Sequence, residues 1–208
     1  MSDMMLYTHP HSRGVTVSWM LAECAQAHEV TALQFRGDMK SADYLAINPA
    51  GKVPTLVHGD TVISETAAIV AYLADLHPEK RLAPAIGQAQ RGEYYKWLFI
   101  LCNQFEPALT DIMFEIEVTD DMRFALGYPE FAVLEQQVTD VLRQQPYLLG
   151  ADFSAADILL AALLAWAQYK NVVVLNDTLS QFLQRVTARP AFIEAQSKNE
   201  ALGQQMGL

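Results

Sequence analysis

The sequence predicts a mixed α/β unit followed by an all-α unit, and three observations carry that fold class. The hydrophobic period changes several times before residue 80; a stretch rich in proline and glycine follows; every apolar pattern after it is helical. Residues 1–80 are therefore read as one domain, 81–88 as a linker and 89–208 as a helical domain.

Met5 to His9 is a short apolar run ending at Pro10, the pattern of a buried strand. From Gly14, the residues Val17, Met20, Leu21 and Cys24 recur at helical spacing. Glu29 to Phe35 is strand-like again, so these pieces form a β-α-β unit with parallel strands and a right-handed crossover. Val53 to Val57 and Thr61 to Ser64 flank His58-Gly59-Asp60, which predicts an antiparallel hairpin. Glu65 to His77 then places Ile69, Tyr72, Leu73 and Leu76 on one helical face.

Pro78, Pro84 and Gly87 mark the linker region. Beyond it, helices are expected over about Gln88 to Glu117, Pro129 to Gln145, Ser154 to Tyr169, Thr178 to Thr187, and from Pro190 onward. The helix after Ser154 has the best-marked start. Ser154 as N-cap is followed three residues later by Asp157, with Phe153 and Ile158 placed to form a hydrophobic staple.

A chain of 208 residues with 51% hydrophobic and 18% charged side chains can build a substantial core, which excludes disordered and fibrous classes. Its net charge of -10 argues against nucleic acid and anionic membranes as partners, because both are bound through Lys and Arg. The N-terminal Met1-Ser2-Asp3 carries an acid where a signal peptide needs positive charge, and the longest apolar stretch, Ile158 to Ala167, is too short to span a bilayer. Cys24 and Cys102 form no CxxC pair and no zinc-ligand spacing. A cytoplasmic, metal-free and disulfide-free protein is the expectation.

Four segments carry candidate chemistry. His9-Pro10-His11-Ser12-Arg13-Gly14 lies between a strand end and a helix start, where a hydroxyl and first-turn amides favour an anion; Ser12 is equally suited to be a helix cap. Asn48-Pro49-Ala50-Gly51-Lys52-Val53-Pro54 feeds a strand through a proline, which fits a trans proline at the strand start, an edge strand or a cis peptide. Ser64-Glu65-Thr66 joins a strand to a helix and offers a carboxylate for an ammonium, with a hydroxyl and free amides for a carboxylate; Glu65 equally fits a residue favoured only by the helix dipole. The fourth, Ser154 to Asp157, reads as structural.

Taken in order, these segments resemble the cytosolic glutathione transferase family over essentially the whole chain. The family reads close to N-P-x-G-x-V-P-x-L and, at this separation, E-S-x-A-I; here the residues are Asn48-Pro49-Ala50-Gly51-Lys52-Val53-Pro54-Thr55-Leu56 and Ser64-Glu65-Thr66-Ala67-Ala68-Ile69. The Ser154–Asp157 box and Arg189-Pro190-Ala191-Phe192 are similar to the family too.

The resemblance implies a thioredoxin-like β-α-β-α-β-β-α first domain and an all-helical second one. It implies a cis Pro54, a Val53 backbone that pairs with the cysteinyl part of glutathione, Glu65 and Thr66 at the γ-glutamyl end, and Lys52, joined by Lys40, at the glycyl carboxylate. Ser12 matches the thiol-addressing serine of serine-type members. Arg13 stands where cysteine-type bacterial relatives carry their active Cys, and His11-Ser12-Arg13 replaces the Ser-Ser-Cys of maleyl-type isomerases. Tyr7 is read as core.

The implied activity is conjugation of glutathione, as co-substrate, to a small hydrophobic electrophile by a homodimer, without metal. Glutathione-dependent disulfide or peroxide reduction and a non-catalytic binding or regulatory role stay open. Candidates for the electrophile pocket are His11, which also fits a solvated loop residue, and Phe105, Leu109, Met113, Trp166 and Tyr169, whose residue types at helical spacing are more often core.

Overall fold

A computed structural model describes residues 3–208; the Met1-Ser2 portion of the N-terminal reading lies outside the described residues. Packing divides the chain into two units, one running to Lys80 and including Ala188–Leu208, the other spanning Arg81–Thr187.

The first unit follows the expected order. Strand β1 (Met4–Thr8), helix α1 (Gly14–Cys24) and strand β2 (Glu29–Ala32) form the β-α-β unit, and a short helix α2 (Ala42–Ile47) precedes β3 (Thr55–His58), β4 (Thr61–Ser64) and α3 (Thr66–Leu76). The sheet order is β2-β1-β3-β4, with β1 parallel to β2 and antiparallel to β3, and β3 antiparallel to β4. Along β1, Met4, Leu6 and Thr8 are buried while Met5 and Tyr7 are half-buried, the alternation a one-sided core demands. Helix α2 is legible from the residues alone only as a loop. Its N-cap Ser41 accepts from the Tyr44 amide, and Tyr44 is buried beside Leu33 and Met39.

The last helix, α10 (Pro190–Gln205), is expected from the sequence in the helical domain but packs in the first unit, against α1. Glu23 of α1 is almost wholly buried, and Arg189, the residue before Pro190, meets it with two bonds of 2.6 and 2.7 Å. The Trp19 indole also donates to Glu23, and its ring meets Phe192 edge-on. A buried carboxylate needs such a partner, and the partner lies at the start of α10.

The second unit is helical: α4 (Gln90–Ile100), α5 (Glu106–Met113), α6 (Asp120–Ala125), α7 (Phe131–Gln144), α8 (Ala155–Tyr169) and α9 (Asp177–Thr187). The single helix expected over Gln88 to Glu117 loosens into a π turn at Leu101–Phe105 and then ends early. Pro107 accounts for the π turn, because it has no amide for the helical ladder and its ring crowds the preceding turn. The end comes later, where Glu115 adopts a φ of 52° and the Ile116 amide turns back to the Asp111 carbonyl at 2.9 Å. At the start of α8, the Ser154 amide and hydroxyl both donate to Asp157 Oδ2 at 2.8 Å, and the Leu148 amide donates to Oδ1 at 2.8 Å. Among the described residues, no helix is long and apolar enough to cross a membrane.

Candidate functional site

Strand register brings three of the four sequence segments together. Tyr7 of β1 pairs with Thr55 of β3, and Thr55 pairs with Ser64 of β4. The loop leaving β1, the loop arriving at β3 and the turn leaving β4 therefore share one end of the sheet. Adjacent strands lie about 4.8 Å apart, so this end spans about 10 Å from β1 to β4.

At the β1 end, the Ser12 amide and hydroxyl both bond to the His9 carbonyl, at 3.0 and 2.7 Å, and the Gly14 amide donates to Ser12 Oγ at 3.0 Å. The hydroxyl thus caps the start of α1, and its one hydrogen is held by His9. His9 is buried, its ring 3.9 Å from that of Phe35, and its Nδ1 accepts the His11 amide at 3.0 Å. Burial, assisted by the neighbouring His11, lowers the His9 pKa and keeps that acceptor available. Only glycine fits at position 14, because a Cβ there would sit 1.9 Å from Thr8 Oγ1 and 3.0 Å from Ser12 Oγ. His11 itself is exposed.

Before β3, the Val53–Pro54 peptide is cis. The Lys52 carbonyl accepts from the Tyr44 hydroxyl at 2.5 Å and from Asn48 Nδ2 at 3.0 Å. Asn48 also donates to Thr55 Oγ1 at 2.9 Å, and the Thr55 and Tyr44 hydroxyls are 2.8 Å apart. With one hydrogen per hydroxyl, Thr55 donates to Tyr44 and the network closes with every buried donor used. Burial raises the Tyr44 pKa, so it stays a phenol. Among the described residues, none bonds the Val53 amide or carbonyl, which leaves that backbone edge open to an extended ligand. Lys52 is exposed; Lys40 is exposed too, and its Nζ donates to the Gly51 carbonyl at 3.0 Å. Gly51 has a φ of 58° and lies so close to that ammonium that a Cβ would stand 2.7 Å from it.

At the β4 end, Glu65 has a φ of 70° and a ψ of 118°. A glutamate held in that region carries local backbone strain, of a kind concentrated at ligand clamps. No side chain caps α3 at Glu65, so its first-turn amides face outward beside the half-buried Thr66.

Comparison with known proteins gives the family. Residues 12–76 match the profile of the glutathione S-transferase N-terminal domain and residues 129–190 that of the C-terminal domain. Glutathione S-transferase 3 of Zea mays is 30% identical over 210 residues, covering 92% of each chain. The chain belongs to the glutathione S-transferase family. Among solved structures, the ternary complex of BphK, a bacterial transferase, is 32% identical with a TM-score of 0.81 over 94% of this chain and 99% of that one. A sphingomonad glutathione S-transferase complexed with glutathione is 26% identical, with a TM-score of 0.79 over 94% and 98%.

In this transferase the remaining expected residues are dispersed. Phe105 and Leu109 have no exposed surface and belong to the helical core, where Phe105 meets Phe131 edge-on, so neither offers a face to an electrophile. Tyr169 is 76% exposed, while Met113 and Trp166 are half-buried. A cavity of about 400 Å³ in the helical unit is lined instead by residues such as Asp111, Ile112, Glu115, Arg123 and Phe131. The Cys24 thiol is buried, points at the Leu73 carbonyl and is pushed up to about 12 by desolvation, which makes it inert. Tyr7 packs beside Tyr44 as core. Among the described residues, no cluster of His, Cys, Asp or Glu suits a metal.

The residues that support the site are less visible in the sequence. Tyr44 and Thr55 carry no signal beyond their own segments. Asn48 is visible only as part of a turn motif, although a buried Asn two residues before a backbone amide it accepts, Ala50, is an Asx-type turn.

Proposed function

We propose that this glutathione transferase lays glutathione along the β1–β3–β4 end of its sheet, ionises the thiol beside Ser12 and transfers the sulfur to a small hydrophobic electrophile. The observation that carries this is the register, which lines up three ligand-ready segments across about 10 Å, the span of an extended tripeptide. The Val53 backbone edge takes the cysteinyl part in the middle. Glu65 takes the γ-glutamyl ammonium, and Thr66 with the first amides of α3 takes its carboxylate. Lys52 takes the glycyl carboxylate, together with the two ammonium hydrogens of Lys40 that Gly51 does not use.

Ser12 supports the thiolate by exchanging partners. Its hydrogen leaves the His9 carbonyl for the sulfur, replacing a neutral bond with a charge-assisted one. A neutral bond contributes about 1 kcal/mol and a charged one about 1.5 to 3, so the exchange gains about 0.5 to 2 kcal/mol, or about one unit of thiol pKa. The start of α1 adds about 0.3 to 1 kcal/mol. The thiol proton goes to solvent; the thiolate then forms the S–C bond while the electrophile's leaving group departs with its electron pair. The protein contributes no sulfur of its own.

Recognition is local, since a net charge of -10 repels an anionic ligand at long range and salt screens that field beyond about 8 to 10 Å. Half-buried Met113 and Trp166 are the apolar candidates of the helical unit for the electrophile. A homodimer with a cytoplasmic detoxifying role belongs to this reading on family grounds. Turnover of a chloronitrobenzene beside turnover of a glutathione mixed disulfide tests it: conjugation should dominate, and a protein that reduces the disulfide without conjugating would refute it.

A further inference from the structure

We infer that Asn199, on the last helix, is a positioning residue for the Ser12 loop. Its Nδ2 donates to the Pro10 carbonyl at 3.0 Å, across 189 residues of sequence. One turn further along α10, the buried Gly203 faces the same proline, with its Cβ direction 3.8 Å from the Pro10 ring. Ala195, one turn earlier, is buried as well, so a stripe of small residues lets the helix approach closely enough for Asn199 to reach.

The bond acts on a particular peptide plane. The carbonyl of the Pro10–His11 peptide is held by Asn199, and its amide, that of His11, is held by His9 Nδ1. Both polar ends of the plane are fixed by side chains, and Pro10 has a restricted φ. Ser12 follows directly, with its amide and hydroxyl both on the His9 carbonyl. The helix that delivers Asn199 is itself anchored at its start by the Glu23–Arg189 pair. These two anchors thus define where the hydroxyl stands before any ligand arrives. Ser64, Glu65 and Lys52 lie on other segments, so loss of the Asn199 bond should disturb the thiol and leave the rest of the ligand held.

This inference rests on the reading of Ser12 as the thiolate donor, and the experiment separates the two. Asn199→Ala and Asn199→Asp, the latter nearly isosteric but without the donor, are compared with Ser12→Ala and with Ser12→Ala/Asn199→Ala. The readouts are the pKa of the bound glutathione thiol, kcat, KM for glutathione and the thermal midpoint. Both Asn199 variants should lower kcat about threefold to tenfold, the scale of one neutral hydrogen bond, and raise the thiol pKa, with KM within about twofold. In the Ser12→Ala background the second substitution should add little, because the two residues act as a unit. If Ser12→Ala shifts the thiol and the Asn199 variants change only the thermal midpoint, Asn199 is merely structural and the inference is overturned alone. If Ser12→Ala leaves the thiol unchanged, the Ser12 reading fails and the inference falls with it.

Discussion

The Tyr44 hydroxyl donates to the Lys52 carbonyl, and through that bond the buried floor of the first unit fixes the loop that presents Val53. Asn48 shares the carbonyl and Thr55 closes the ring of bonds, so the backbone edge offered to glutathione rests on a fully satisfied polar network. Such networks specify one arrangement when complete and are costly when broken. Tyr44→Phe removes one donor while Asn48 still serves the carbonyl. The expected result is a loss of about 1 kcal/mol in unfolding free energy, with glutathione binding weakened severalfold, as measured by denaturant titration and calorimetry. Unchanged glutathione affinity would detach the network from the site.

Gly14 lies where Thr8 and Ser12 leave no room for a methyl group. Gly14→Ala should destabilise the protein by about 1 to 3 kcal/mol and reduce conjugation, since relieving the clash moves the Ser12 hydroxyl or the end of β1. Adding Thr8→Ala removes the nearest atom and should restore part of both. Steady-state kinetics and thermal unfolding on the single and double variants check this.

Glu23 and Arg189 join α1 to the start of α10 by a two-pronged pair whose carboxylate is 7% exposed and whose guanidinium is 32% exposed. Breaking a fully buried pair costs about 3 to 5 kcal/mol and a surface pair less than about 1, so Arg189→Ala should cost about 2 kcal/mol. Arg189→Lys should recover part of this, having one prong. Hydrogen exchange should show α10 opening in Arg189→Ala while the sheet stays protected.

Asp157 gives a pH test. Burial pushes its carboxyl up to about 6, against hydrogen bonds from Leu148 and Ser154 that favour the carboxylate. The folded state then holds a proton more tightly than the unfolded one, so this group's contribution to stability is greatest below about pH 4 and declines as pH rises towards 6. An asparagine side chain in its place cannot titrate, so the stability of the wild type relative to Asp157→Asn should fall between about pH 4 and 6 and level off above. A relative stability that rises over that window would mean that the hydrogen bonds outweigh burial.

What the residues alone make legible divides along physical lines. Local patterns are sufficient for β1, α1 and α3, whose apolar residues recur at strand or helix spacing, and for the β3–β4 hairpin, which the His58-Gly59-Asp60 turn marks. The Pro54 and Ser64–Glu65–Thr66 segments are visible as motifs, and strand register then explains why they meet. The placement of α10 is not legible. Its buried residues are the small Ala195 and Gly203, which make no apolar stripe to read, and the bonds that seat it, Arg189 to Glu23 and Asn199 to Pro10, each bridge distant parts of the sequence, 166 and 189 residues apart. Phe105 and Leu109 are ambiguous for a related reason, since apolar residues at helical spacing look alike in a core and in a pocket. Pro107 is in plain view, and weighing its missing amide locates the π turn in the long helix.

Thiolate formation depends on the Ser12 hydroxyl exchanging the His9 carbonyl for the glutathione sulfur. Titrating the thiol of bound glutathione by its thiolate absorbance, in the wild type and in Ser12→Ala, measures that exchange. The wild type should hold the thiol well below the free value of about 8.5, and Ser12→Ala should raise it by about one unit, with conjugation falling about fivefold at neutral pH. A thiol pKa and a conjugation rate that do not change on removing the Ser12 hydroxyl would contradict the account.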